Sequence, residues 1–82
     1  MYYYLRLDVK EERWISWGRW STGNPEDEGF YITSNKIRAC IIAEEYLAEK
    51  VVKCQLDKIG KYSKIPATEQ DVIKYRSRVF ML

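Results

Sequence analysis

Eighty-two residues, 46% of them hydrophobic, 32% charged and 15% aromatic, suit one small globular domain spanning 1–82 and exclude a second domain or a disordered chain. Fourteen basic against twelve acidic residues leave a net charge of +2, too little to demand a nucleic acid or an anionic membrane as partner. Histidine is absent and only two cysteines are present, so most metal-site and nucleophile chemistry loses its usual ligands and bases.

The chain opens on a strict alternation. Tyr3, Leu5, Leu7 and Val9 fall on one side of an extended segment, and Tyr2, Tyr4, Arg6 and Asp8 on the other, which is the period of a β-strand. A charged turn at Lys10, Glu11 and Glu12 leads into a second strand over 13–20, close enough to form a hairpin. Ile15 and Trp17 share one of its faces; Trp14, Ser16, Gly18 and Trp20 share the other. Turn residues then dominate 21–29, with Gly23, Asn24 and Pro25 followed by the acidic run Glu26, Asp27 and Glu28. A brief third strand follows over 30–33.

Ser34 or Thr33 is placed to cap a helix over 35–50, where Ile37, Cys40, Ile41, Leu47 and Ala48 make an apolar stripe. Residues 51–58 are read as a fourth strand, because Val52, Cys54 and Leu56 alternate with Lys53, Gln55 and Asp57 and the Val51-Val52 pair favours extended backbone. No Gly or Pro intervenes before Gly60, so the same residues also fit a continuation of the helix. The stretch 60–66 reads as a loop. Thr68 then caps a second helix, with Glu69 and Asp71 in its first turn and Lys74, Arg76 and Arg78 towards its end, matching the helix dipole. The expected class is α+β: a small antiparallel sheet packed on a helix, in the order β-β-β-α-β-α.

No arrangement of residues points to catalysis, a cofactor or a bound metal. Cys40 falls on the apolar stripe and reads as a buried thiol without a base beside it. The four glycines are scattered and make no phosphate loop. Neighbouring carboxylates such as Glu26, Asp27 and Glu28 do not space ligands as a calcium loop does. Glu44 stands near the middle of the apolar stripe, and a carboxylate there belongs either at the core edge with its head in solvent or in a pair with Arg6 or Arg19. Because Met1 leads directly into an amphipathic strand, no signal peptide is expected, and the apolar runs are too short for a membrane span. With two lone cysteines, the expected setting is cytoplasmic and reduced.

What remains is surface. If Leu5, Leu7, Ile15 and Trp17 face the core, then Tyr2, Tyr4, Arg6, Trp14 and Trp20 point away from it. Such residues make binding hot spots, because they bring large area at low entropy cost. The competing reading covers that face with the second helix and gives two thin cores. Ile42 and Tyr46 form a second apolar pair on a charged helix face, either covered by the second helix or left for a partner. Charge is also divided: residues 1–49 carry six basic and nine acidic groups, residues 50–82 eight and three.

In size and texture the chain resembles the small accessory proteins of phages and prophages, anti-CRISPR inhibitors among them, although no motif carries the likeness. That resemblance implies a stoichiometric, non-catalytic inhibitor occupying a host protein or nucleoprotein complex, here through the hairpin aromatics and the acidic loop Glu26, Asp27 and Glu28. The alternative is a nucleic-acid-binding domain, using the basic C-terminal half with the aromatics as a stacking platform.

Overall fold

A computed structural model describes residues 1–19 and 28–81, with only the backbone of Arg19 and Glu28. Trp20, Glu26 and Asp27 lie outside the described residues, as does the side chain of Glu28. Strands β1 (Tyr2–Leu7) and β2 (Trp14–Arg19) form the expected hairpin, joined where the Leu7 amide donates to the Arg13 carbonyl at 2.9 Å. Strand β3 (Glu28–Thr33) runs antiparallel to β2 in the register Trp14↔Thr33 to Arg19↔Glu28. After a 3-10 turn at Lys36–Arg38 come β4 (Ile41–Ala43), α1 (Glu44–Leu47), α2 (Lys50–Ile59), β5 (Tyr62–Ala67) and α3 (Glu69–Lys74). The class is α+β, and the five strands form one antiparallel sheet in the order β3-β2-β1-β4, with β5 pairing with β1.

β1 is the centre of this sheet. One edge pairs along its whole length with β5, from Tyr2↔Ala67 to Leu7↔Tyr62. The other edge is shared: Tyr2–Tyr4 pair with β4, and Arg6 pairs with Trp14 of β2. The strand period of two then divides the interior. Leu5 and Leu7 join Ile15, Phe30, Cys40, Ile42, Val52, Leu56 and Phe80 in the larger core, under α2. Tyr4 joins Trp14, Ala39 and Ile41 in a second core, closed by Val72 and Tyr75 of the α3 segment. A small domain covers both sheet faces in this way because its stability margin cannot spare a large uncovered apolar face.

Three expectations are corrected. The stretch 35–50 is not one helix, because Ile41, Ile42 and Ala43 are all buried and take up β1 and the C-terminal segment as strand neighbours. A strand covered on both faces shows a run of apolar residues rather than a stripe. The segment 51–58 is helix: Val52 and Leu56, one turn apart, enter the core while Cys54 faces solvent. The stretch 60–66 is mostly strand, launched by Gly60 at φ 140° and held by β1. Thr68 caps α3 as expected, its hydroxyl accepting from the Asp71 amide at 3.1 Å.

A candidate protein-binding surface

The hairpin face is not open. Tyr4 and Trp14 are 5% and 4% exposed and meet edge to face, with ring centroids 6.1 Å apart. The Trp14 indole N–H donates to Glu12 Oε1 at 3.2 Å, giving the buried ring its polar partner. Lys36 Nζ lies 5.4 Å from the Tyr4 centroid and 5.3 Å from that of Trp14, a cation over two aromatic faces. Of the two readings of this face, the exposed one is therefore corrected for Tyr4 and Trp14 and the covered one holds, with α3 and the segment after it lying over these rings. Burial, followed by the nearby Asp71 carboxylate, raises the Tyr4 phenol above its usual value.

The other expected residues divide. Arg6 is half-buried, and its Nη1 donates to the Leu7 carbonyl at 3.3 Å, so its guanidinium is engaged within the hairpin. Ile42 is fully buried. Tyr46 packs edge-on against Phe80, centroids 5.5 Å apart, beside the T-shaped pair that Trp17 makes with Phe80 at 4.8 Å. Tyr46 is thus covered by Phe80 of the C-terminal segment, and Ile42 lies in the larger core with Val52 and Leu56 of α2 and with Phe80; α3 is not part of that core. Glu44 sits at the start of α1, exposed, with Lys64 Nζ 3.7 Å from its Oε1, so its partner is Lys64 and not Arg6. Cys40 is 1% exposed, and burial pushes its thiol up to about 12, which leaves it protonated at neutral pH.

Of Tyr2, Tyr4 and Trp14, only Tyr2 keeps an outward ring, at 38% exposure, and it lines a concave surface. Met1, Tyr2, Ala67, Val72 and Ile73 form an apolar groove of about 580 Å³ between the start of β1, the end of β5 and α3, with Glu69 on its wall. Met1 is 78% and Ile73 76% exposed. The physical origin lies in α3. Val72 and Ile73 are adjacent, about 100° apart on a helix; Val72 packs on the second core and leaves Ile73 to solvent. That doublet was the signal in the sequence, but only the register of α3 on the sheet shows which of the two is outside. Among its described lining residues, the one charged side chain is the Glu69 carboxylate. It is suited to seating an apolar side chain.

Among the described residues no helix is long and apolar enough to cross a membrane. No family model, no curated protein and no solved structure matches the chain.

Proposed function

We propose that the chain is a non-catalytic protein-binding module that takes an apolar side chain of its partner into the groove between β1 and α3. The observation that carries this reading is convergence. Single exposed hydrophobic residues are ordinary, whereas Met1, Tyr2 and Ile73 are exposed together around one concavity. The small size and the resemblance to phage accessory proteins support a stoichiometric modulator of a larger host protein or nucleoprotein complex. The free thiols of Cys40 and Cys54 support a reducing, cytoplasmic setting. Nucleic acid is the weaker reading, because the stacking platform it needed is largely inside: Tyr4 and Trp14 are buried.

The test compares capture by three forms of the tagged chain. Wild type, Ile73→Glu and the control Val51→Glu on α2, itself 65% exposed, are passed through the same lysate. A hot-spot loss of about 2 kcal/mol or more weakens binding roughly thirtyfold or more. Proteins retained by wild type and Val51→Glu but lost from Ile73→Glu support the groove. Equal capture by all three overturns it.

A further inference from the structure

The sheet has three outer edges, and the chain treats them differently. Where the Leu7 amide donates to the Arg13 carbonyl, the backbone groups of Arg13, and by alternation those of Ile15 and Trp17, point towards β1. The Cys40 amide donating to the Ile15 carbonyl at 3.1 Å agrees. Trp14, Ser16 and Gly18 therefore bond to β3, at Thr33, Tyr31 and Gly29. Phe30 and Ile32, opposite Trp17 and Ile15, turn their N–H and C=O groups outward.

The same alternation applied to β5 starts from the Asp8 amide, which donates to the Lys61 carbonyl at 3.0 Å. It leaves Tyr62, Lys64 and Pro66 with outward groups. Pro66 has no N–H to offer and Lys64 carries a charge, two devices that blunt an edge. The outer edge of β4 is occupied, because the Phe80 amide donates to the Ile41 carbonyl at 2.7 Å. From Gly29 to Thr33, β3 has neither device nor, among the described residues, a strand beyond it. Its stretch Gly29-Phe30-Tyr31-Ile32-Thr33 is uncharged, free of proline and rich in strand formers. Ile32 lies on the α2 side of the sheet, opposite the buried Ile15, yet is 50% exposed.

We infer that β3 pairs through this edge with β3 of a second copy of the chain, antiparallel, about a two-fold axis at Tyr31. In that register Phe30 of each copy faces Ile32 of the other, and both carry outward N–H and C=O groups, so each pair exchanges two hydrogen bonds. A two-fold axis perpendicular to the sheet keeps each side chain on its own face, so the exposed Ile32 lies beside the other copy's Phe30. No charged side chain from 29 to 33 opposes the match. Self-complementarity of this kind selects a second copy over an unrelated strand. One strand edge is smaller than a standard interface, so association in the micromolar-to-millimolar range is expected.

The test is amide hydrogen exchange of the full chain across that concentration range, beside sedimentation of the same samples. The expected result is a mass rising to twice that of the chain, with the Phe30 and Ile32 amides protected only as it rises. The Tyr31 amide, bonded to β2, stays protected throughout. Ile32→Pro removes an outward donor and leaves the β2 ladder intact, so a folded monomer is expected; Ile32→Lys, which keeps the amide, checks the same point should the proline variant unfold. A monomer at every concentration overturns the inference. So does a dimer without new protection at Phe30 and Ile32, protection at every dilution, or a dimer undiminished in Ile32→Lys.

Discussion

The Phe80 amide donates to the Ile41 carbonyl at 2.7 Å, and this bond fastens the C-terminal segment to the outer edge of β4. The Phe80 ring then lies among Trp17, Phe30 and Tyr46, with centroids 4.8, 5.2 and 5.5 Å away. A residue near the end of the chain thus completes the larger core. Phe80→Ala is expected to cost about 3–5 kcal/mol, against a total of roughly 4–12 kcal/mol for a chain this size. Urea titration should show the variant largely unfolded or with a midpoint far below wild type. A shift under about 1 kcal/mol would contradict the packing.

The second core predicts a contrast between two aromatic residues of the hairpin. Trp14→Ala removes a buried ring and is expected to cost about 3–5 kcal/mol. Tyr2→Ala removes an outward one and is expected to cost well under 1 kcal/mol. Thermal melts of the pair decide it: comparable losses would mean that both rings are surface, or both core.

Alkaline pH should destabilise the protein. The Cys40 thiol is pushed up to about 12 from 9.0, and the Tyr4 phenol is raised above 10.0. Above the unfolded values the unfolded chain releases these protons while the folded chain keeps them, so stability falls as pH rises. The contribution is full below about pH 9 and declines through the window from 9 to about 12. Cys40→Ala should flatten the first part of that decline in urea titrations between pH 7 and pH 10. A thiol reagent at neutral pH should label Cys54 at once and Cys40 only on unfolding; immediate labelling of both would refute the burial.

Gly60 ends α2 at φ 140° and ψ −172°, a region that side-chain-bearing residues seldom enter. A Cβ there would meet only Leu7 Cδ2, at 3.7 Å, so space is not the obstacle. Gly60→Ala should cost about 1–3 kcal/mol through the backbone alone, read as a lower denaturation midpoint with an unchanged slope.

Local pattern settled part of this protein from sequence. The alternation from Tyr2 to Leu7, the hairpin into β2, the Thr68 cap and the buried Cys40 are all visible in neighbouring residues, and the structure has each of them. Those features depend on contacts within a few residues, or on a face that must be apolar whatever covers it. The element order from 35 to 67 was not decided locally. Val52, Cys54 and Leu56 satisfy a strand period, while Val52 and Leu56 also satisfy a helical one, and the tie is broken by the core that both residues reach from α2. Polar, proline-bearing 62–67 becomes a strand only because β1 supplies its hydrogen bonds across the sheet. The hairpin face was the deepest ambiguity. Tyr4 and Trp14 are as suitable for a partner as for a core, and their burial was decided by where Val72, Tyr75 and Val79 dock. The same docking turned Ile73 outward and made the groove, because a helix can bury only one side of an adjacent apolar pair.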